Sequence, residues 1–423
     1  MDQASVRHTV SKVLDDIRLH GDEAVRRYAR EFDHDDSQSF LMSEEDIAAA
    51  VARVPAQTIE DIRFVQEQIR TMAQRQLESL EAFEIETMPG VILGQRHIPI
   101  DTVGVYVPGG RFPLLASAHM TIVTAKVAGV AHVTACTPRI HGAIPDATIA
   151  AMYLAGADEI YLLGGIQAIG AMGIGTESIH QVDMLAGPGN AFVAEAKRQL
   201  YGEVGIDLFA GPTEILIVAD ETADPFIVAV DLLSQAEHGP ESPAVLVTPS
   251  ADLGQAVIRH IDDLLPGMPT RDTAEPAWRD HGEVYVTASL DDAFTLANEY
   301  AFEHVEVLTA HPREGLAHMR NYGALFLGEG TCVAYGDKSI GTNHVLPTRG
   351  AARFTGGLWV GSYLRTTTYQ EVTNPQSSAF LGELTGRAAR AEDFEGHARA
   401  GDVRVAKYRG QPLAWSDHTF GQA

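Results

Sequence analysis

The chain has 423 residues, 45% of them hydrophobic and 21% charged, so it is long enough for two or three domains with a large core. Its formal net charge of −26 would repel nucleic-acid phosphates and anionic lipids, and we expect neither as a partner. The sequence shows no signal peptide and no stretch of membrane-spanning length, and Cys136 and Cys332 have no metal or redox spacing. These features predict a cytoplasmic protein.

The N-terminal part is predicted to be helical. Apolar residues recur there at helical spacing, namely Val6, Val10, Leu14 and Ile17. Ser43 and Asp46 have the spacing of a capping box that opens a second helix, and Pro55 interrupts the pattern. Helical spacing then resumes with Ile59, Ile62, Val65, Gln66 and Ile69.

From about Ile98 to residue 328, short apolar runs alternate with helical stretches. The predicted strands are Val103–Val107, Val133–Cys136, Glu159–Leu163, Glu214–Val218, Ala244–Val247, Glu283–Val286, Val305–Leu308 and Ala324–Leu327. Alternation of this kind predicts parallel sheets covered by helices. The stretch is too long for one small sheet, so we expect two α/β units.

The fold class is therefore predicted as α/β, with two incomplete Rossmann-like domains built on parallel sheets, N-terminal helices and a helical C-terminal arm. Glycine-rich turns cluster between residues 104 and 212 and indicate one nucleotide-binding-like unit. The predicted divisions are an N-terminal helical segment at 1–30, a first, discontinuous α/β domain at 31–105 and 218–355, a second, nucleotide-binding-like α/β domain at 106–217, and a C-terminal dimerisation arm at 356–423.

Glycine-rich turns lie near strand ends and helix starts in this second domain, at residues 106–111, 164–167 and 187–190. Glycine lets a ligand approach the backbone, and a helix N-terminus favours phosphate. None is a complete dinucleotide fingerprint, and each alone is more often an ordinary connection. Together they favour a nucleotide site.

Two pairs of residues could carry chemistry. Gln235 and His238 are three residues apart in a helical stretch that ends at Gly239, although such a histidine also commonly caps a helix. Glu303 and His304 can converge only if Glu303 lies in the loop before the strand. They would then form a base with a carboxylate beside it, and the alternative is a solvated glutamate beside a half-buried histidine.

A predicted loop at residues 335–344 combines Asp337 and His344 with two glycines. His397, in the C-terminal helical stretch, is by itself an ordinary surface histidine. Together, Gln235, His238, Asp337 and His397 would offer the nitrogen and oxygen donors that suit Zn²⁺ or a similar divalent ion. Sequence spacing alone does not bring these four residues together.

These segments, in this order, resemble the histidinol dehydrogenase family over nearly the whole chain. The matching strings are Tyr106–Gly110 (YVPGG), Gly164–Ala168 (GGIQA), Gly187–Phe192 (GPGNAF), Ala210–Glu214 (AGPTE), Ser234–Pro240 (SQAEHGP), Glu303 with His304, and Gly341–Thr348 (GTNHVLPT). SQAEHGP and GTNHVLPT are long and unusual, so they carry most of the resemblance.

The resemblance implies a role for each matching residue. By this likeness, Gln235, His238, Asp337 and His397 bind one Zn²⁺ per subunit, Glu303 and His304 are the catalytic acid–base pair, Tyr106, Gln167 and Asn190 contact NAD, and Thr213, His344 and Glu392 contact substrate. The family commonly has Ser where this chain has Thr213. The likeness also implies a homodimer whose C-terminal arm carries His397 to the partner's active site, and oxidation of an alcohol to a carboxylate with two NAD⁺.

The chain departs from histidinol-specific members by adding Arg111, His119, Arg349 and Arg353 near the matching strings. With YGDKSIGTNH at residues 335–344 and GGLWVG at residues 356–361, its pattern looks closer to the sulfopropanediol dehydrogenase branch, which oxidises 2,3-dihydroxypropane-1-sulfonate to 3-sulfolactate. We expect His119 and Arg353 to bind the anionic group of the substrate. The alternatives are histidinol dehydrogenase itself, converting L-histidinol to L-histidine, and a non-catalytic nucleotide- or metal-binding protein.

Overall fold

The computed structural model describes residues 3–109, 114–208 and 211–420. Gly110 and Arg111 of the first glycine-rich turn, and Ala210 of AGPTE, lie outside the described residues. The chain divides into two compact units, Met1–Leu77 with Pro99–Tyr363 and Glu78–Ile98 with Leu364–Ala423. Within the described residues, no helix is long and apolar enough to cross a membrane.

The strands are β1 Phe83–Met88, β2 Val91–Pro99, β3 Thr102–Tyr106, β4 His132–Thr137, β5 Glu159–Leu162, β6 Met184–Ala186, β7 Gly205–Ile206, β8 Ile215–Ala219, β9 Ala244–Thr248, β10 Gly282–Val286, β11 His304–Leu308, β12 Ala324–Leu327 and β13 Leu364–Val372. The α-helices are α1 Gln3–Tyr28, α2 Glu44–Arg53, α3 Ala56–Glu78, α4 Leu115–Ala118, α5 Thr124–Ala128, α6 Asp146–Ala155, α7 Gly165–Ile174, α8 Ala191–Leu200, α9 Pro225–Ala236, α10 Ala251–Leu264, α11 Arg271–His281, α12 Leu290–Tyr300, α13 Gly315–His318, α14 Val333–Lys338, α15 Pro375–Ala391 and α16 Glu395–Arg409. Two π-helices, Ala29–Asp33 and His119–Val123, adjoin α1 and α4.

Two five-stranded parallel sheets form the centre of the larger unit. The first sheet has the order β5-β4-β3-β6-β7, and the second has the order β10-β9-β8-β11-β12. In each sheet the earliest strand is central, and the chain winds outward first to one side and then to the other. This is the order of an incomplete Rossmann sheet, so the predicted fold class is confirmed.

Helices pack apolar side chains against both sheets, because the central strands present apolar side chains on both faces. All five residues of β8 are buried, as are all five of β9 and β11, so these strands have apolar neighbours on both faces. The predicted apolar face of α1 is buried against the first sheet's core. Ser43 caps α2 by accepting a hydrogen bond from the Asp46 amide at 3.1 Å, as its spacing predicts.

The smaller unit contains an antiparallel sheet, β1-β2-β13, and the helical hairpin of α15 and α16. The hairpin is close-packed, since a Cβ added at Gly382 would lie 2.6 Å from the Gly401 carbonyl oxygen. The prediction of an entirely helical arm was wrong for β13. Most side chains of that strand are exposed, so it lacks the apolar run by which the central strands were recognised.

The sheets also bear on the predicted domain boundaries. β3 begins at Thr102, so the first sheet starts a few residues before the predicted boundary at 106. β8 begins at Ile215, so the second sheet starts just before the predicted boundary at 218. The strands of residues 83–98 belong to the smaller unit rather than to either parallel sheet.

Candidate active site

Residues from both parallel sheets line two adjoining cavities in the larger unit. Gly187 and Gly189 follow β6 of the first sheet, whereas Thr213 and Glu303 lie just before β8 and β11 of the second. The wider cavity has a volume of about 890 Å³ and includes Asn190, Thr213 and His238 in its wall. The cavities therefore lie where the carboxyl end of one sheet meets the amino end of the other.

Glu303 and His304 converge because α12 stops short of the strand. Ala301 adopts a left-handed conformation, with φ at 53°, and ends the helix. Glu303 then lies in the connection, and His304 is the first residue of β11. Glu303 Oε2 and His304 Nδ1 are 3.6 Å apart. The sequence predicted convergence only if Glu303 lies in the loop before the strand, and the structure places it there.

The Glu303 carboxyl group is buried among hydrogen-bond donors. Its Oε2 accepts hydrogen bonds from the Thr213 hydroxyl and, at 3.2 Å, from the Glu214 amide. Glu303 is only 6% exposed, and burial raises its pKa well above the ordinary value despite these donors. A carboxyl group with a raised pKa can hold a proton near neutral pH and is a stronger base after losing it.

The hydrogen bonds of His304 identify its neutral tautomer. Its Nδ1 lies 3.1 Å from the Glu214 carbonyl oxygen, which can only accept, so Nδ1 carries the proton. The Gln235 amide nitrogen is 3.5 Å from the same atom, too far to compete. Burial lowers the pKa of His304 to about 4, so the ring is neutral at neutral pH. Its Nε2 is thus free of a proton and can accept one.

Glu214 was not predicted as a site residue, yet it connects the walls of the site. Its Oε1 accepts from the Arg349 amide at 3.0 Å, and the Glu303 and Gly350 amides also donate to its carboxylate. Burial raises its pKa to about 7. A charged residue directly before an entirely apolar strand was the sequence signal that could have identified Glu214.

Three of the four predicted metal ligands lie in the larger unit. Gln235 is buried in the last turn of α9, and His238 is in the turn that follows. The Gln235 amide nitrogen donates to the Thr213 hydroxyl, which leaves Oε1 as the atom that could bind a metal. Asp337 lies 3.4 Å from His344, measured from Oδ1 to Nδ1.

Asp337 lies in α14, not in a loop as predicted. The helix forms because the Val333 amide donates to Glu306 Oε1 at 3.0 Å, and because Gly336 packs against the Phe326 ring, where a Cβ would come within 2.9 Å. Burial acts to raise the pKa of Asp337, but His344, His304 and Lys338 outweigh burial and hold it below its ordinary value. Asp337 is therefore a carboxylate at neutral pH.

The side chains of Gln235, His238 and Asp337 are chemically suited to a divalent metal. They offer an amide oxygen, an imidazole and a carboxylate, which are ligand types that Zn²⁺ accepts. Among the residues that the structure describes, no three His, Cys, Asp or Glu side chains form a metal cluster by themselves. A metal site here would therefore need the Gln235 amide and a further ligand, the role predicted for His397.

Comparison with known proteins decides the family. The family model described as histidinol dehydrogenase matches residues 1–405. The chain belongs to the histidinol dehydrogenase family. The crystal structure of a family member, histidinol dehydrogenase from Elizabethkingia anophelis, has a TM-score of 0.90 and 34% identity, covering 96% of this chain and 93% of that one.

Family relatives carry different names. A histidinol dehydrogenase homolog of Shouchella clausii is 54% identical, over 95% of each chain. The sulfopropanediol 3-dehydrogenase of Ruegeria pomeroyi is 47% identical, over 99% of this chain and 95% of its own. The histidinol dehydrogenase of Geobacillus kaustophilus is 41% identical, over 95% of this chain and 94% of its own. Family membership therefore leaves the substrate open.

The residues of this chain that are predicted to contact NAD form two groups. Tyr106 and Gln167 are buried, and the Gln167 amide donates to Asp33 at 2.7 Å. The Oε1 atom of Gln167 has no hydrogen-bond partner among the residues that the structure describes. Asn190 lines the wide cavity and caps α8 by accepting from two backbone amides. An unpartnered buried oxygen and a helix start at a cavity are features that a dinucleotide could use.

His119 lies in the π-helix between α4 and α5, a rare helix type that often marks functional sites. Its widened turn is held by side chains, since the Met120 carbonyl accepts from Asn343 at 3.0 Å and the Thr121 carbonyl accepts from Tyr363 at 3.1 Å. His344 follows Asn343 directly, and His344 acts electrostatically on His119. The structure thus brings the predicted substrate residues His119 and His344 into one neighbourhood.

The two added arginines after GTNHVLPT lie in different surroundings. The Arg353 guanidinium donates to the Glu299 and Gly350 carbonyls and lines a surface depression with Asn298 and other residues. Arg349 instead lines the wide cavity with Thr213, Asn190 and His238. The structure does not bring Arg353 together with the other predicted site residues.

Glu392 and His397 belong to the smaller unit. Glu392 follows α15, and His397 lies in the first turn of α16, where its ring contacts Phe394 with 5.4 Å between centroids. The predicted roles of these two residues at an active site stay predictions.

Proposed function

We propose that this family member is an NAD- and zinc-dependent dehydrogenase that oxidises 2,3-dihydroxypropane-1-sulfonate to 3-sulfolactate in two steps. The observation that carries this proposal is Arg349, a cation in the wall of the cavity that also contains Thr213 and His238. The named sulfopropanediol 3-dehydrogenase relative supports it. We further propose a cytoplasmic homodimer that shares its active sites.

The proposed chemistry assigns separate tasks to the side chains. A zinc ion held by Gln235, His238, Asp337 and His397 would favour ionisation of the substrate hydroxyl, and bound NAD⁺ would accept the hydride. His304 would take the hydroxyl proton at Nε2. Glu303 would then activate the water that hydrates the aldehyde, which must occur before a second hydride can leave.

Arg349 has the position and chemistry to bind the sulfonate. Its backbone amide is fixed by Glu214, and its φ of 56° is an uncommon conformation for a residue with a side chain. Its guanidinium packs over Gly211, where a Cβ would come within 2.3 Å of Nε. The planar donors of arginine suit a sulfonate oxyanion. The structure therefore favours Arg349 over Arg353 for this role.

We expect Arg349→Ala to raise KM for the sulfonate about 10-fold or more, because a hydrogen bond to a charged group contributes about 1.5–3 kcal/mol. The kcat/KM for propane-1,2-diol, which has the same hydroxyls but no sulfonate, should change less than about threefold. Initial rates of NADH formation measure both. Arg349→Lys keeps the charge but not the planar donors, so its KM for the sulfonate should lie between those of wild type and Arg349→Ala.

Arg353→Ala, measured alongside, tests the prediction made from sequence. Should Arg353→Ala alone raise KM for the sulfonate, with Arg349→Ala behaving as wild type, the assignment to Arg349 would be wrong and the sequence-based one right.

The alternative function is oxidation of L-histidinol, which the Geobacillus relative's name supports. Histidinol carries an amine and an imidazole, so an arginine in the cavity wall is unfavourable for it. A panel of both substrates with zinc-loaded protein distinguishes the two functions. Efficient histidinol oxidation without any response to the sulfonate would reject our proposal. A non-catalytic role is disfavoured, because Glu303 contacts His304 and the chain has all four proposed ligands.

A shared site predicts complementation between inactive variants. His397→Ala and His238→Ala should each be inactive, but a mixed dimer would have one site with neither lesion and one with both. Random subunit exchange should thus restore about a quarter of wild-type activity, since half of the dimers are mixed and half of their sites are intact. Absence of rescue in verified heterodimers would show that each site uses its own His397.

A further inference from the structure

Gln66 contacts His119 inside the protein. Gln66 lies on α3, and both side chains are 4% exposed. The amide nitrogen Nε2 of Gln66 is 3.1 Å from His119 Nδ1. The same nitrogen is 2.9 Å from the carbonyl oxygen of Ala151 on α6. One buried amide group is thus shared between a backbone oxygen and the imidazole.

These two contacts determine where the imidazole carries its proton. A carbonyl oxygen can only accept a hydrogen bond, so the Gln66 atom that faces Ala151 must be the NH₂ group. That group cannot accept, so it must donate to His119 Nδ1, which is therefore unprotonated. The proton of the neutral ring is then on Nε2. Burial lowers the pKa of His119 to about 4, which keeps the ring neutral near pH 7.

The surroundings of His119 place it with the substrate residues. His344 and Lys338 act electrostatically on the ring. Asn343, which precedes His344, is bonded to the carbonyl of Met120, the residue after His119. Gln66 binds the Nδ1 edge of the ring, so the polar atom of the imidazole that Gln66 leaves for another partner is the Nε2–H donor. A neutral N–H group can donate a hydrogen bond to an anionic oxygen, but it cannot form one with a substrate group that is itself only a donor.

We propose that Gln66 is a positioning residue for substrate selection, because it holds His119 in the tautomer that donates a hydrogen bond from Nε2 to the substrate sulfonate. This inference rests on the proposed function, which supplies the sulfonate. Without Gln66 the ring could adopt either tautomer, and one of them would turn a lone pair toward the anion. A lost hydrogen bond to a charged group corresponds to about a 10- to 100-fold loss of preference for the anionic substrate.

The tautomer can be measured directly. Protein labelled with ¹⁵N-histidine gives distinct Nδ1 and Nε2 shifts for the two tautomers, and the His119 signals are those that disappear in His119→Gln. We expect wild type to show a proton on Nε2 and an unprotonated Nδ1. A proton on Nδ1 would overturn the inference without any need for a Gln66 variant.

The kinetic arm compares the sulfonate with propane-1,2-diol. Gln66→Leu should lower the ratio of their kcat/KM values about 10- to 100-fold, through KM for the sulfonate, with KM for NAD⁺ unchanged. In a His119→Leu background the same change should have no further effect on the ratio, because both residues act as one unit. Gln57→Leu, an exposed position on the same helix, is the matched control and should resemble wild type.

The outcomes separate the inference from the function on which it rests. If Gln66→Leu lowers kcat/KM equally for the sulfonate and for propane-1,2-diol, Gln66 has a structural role. That result overturns the inference but not the proposed function. If wild type ignores the sulfonate, the proposed function fails together with the proposed ligand, and the spectrum alone decides whether Gln66 sets the tautomer. Gln66→Met replaces Gln66→Leu if the latter does not fold.

Discussion

Replacing Glu303 with glutamine should slow oxidation of the aldehyde about 100-fold or more and leave the first hydride transfer within about threefold of wild type. The glutamine can still accept a hydrogen bond from Thr213, so the site keeps its shape. It cannot take a proton from water, however, and only the second oxidation needs a hydrated aldehyde. The variant should therefore accumulate or release the aldehyde.

Rapid-mixing experiments resolve the two half-reactions. A single turnover with the alcohol reports the first hydride transfer, and steady-state oxidation of supplied aldehyde reports the second. Glu314→Gln, at an exposed position in the short helix Pro312–Glu314, is a matched control that should behave as wild type. Equal losses in both half-reactions would mean that Glu303 does not divide the chemistry in this way.

Complete removal of the metal should lower turnover about 1000-fold, because a metal that polarises the reacting oxygen contributes several kcal/mol to transition-state stabilisation. Stoichiometric zinc should restore the rate. Gln235→Ala should show the same loss and should also contain less than one zinc per subunit, since its amide is one of three proposed ligands in the larger unit.

Metal content and initial rates must be measured on the same preparations. Gln255→Ala, an exposed glutamine on α10, should keep both zinc and activity. Full turnover in protein shown to be metal-free would eliminate the proposed role of zinc, whatever the effect of the Gln235 substitution.

The parallel sheets could be predicted because their strands are short apolar runs between helices. Each of the eight strands proposed from sequence is present, shifted at its ends by at most one residue. β6 and β7 of the first sheet were missed, because strands of three and two residues give no apolar run. The strands β1, β2 and β13 could not be predicted in this way, because few of their side chains are buried. β13 also joins the β1–β2 hairpin from a distant part of the chain.

The site was predictable to the extent that its residues lie in distinctive strings. Glu303 and His304 were found in this way, and their convergence depended on a loop boundary that the sequence left open. In the sequence, Gln66 is a polar residue at a position where the helical spacing of α3 calls for an apolar one, and this was the only feature that could have pointed to it. Its contact with His119 spans 53 positions, and no local pattern encodes such a pairing.

The π-helix His119–Val123 accommodates one residue more per turn than an α-helix would. Ala118 and Thr124 on either side are almost fully buried, so the flanking segments are held by their packing. Deleting one residue would let the turn close as an ordinary α-helical turn while the buried flanks keep their packing, and the side chain beside Gln66 would change. A single-codon insertion or deletion is therefore enough for a lineage to gain or lose the proposed recognition group while the rest of the scaffold is inherited unchanged.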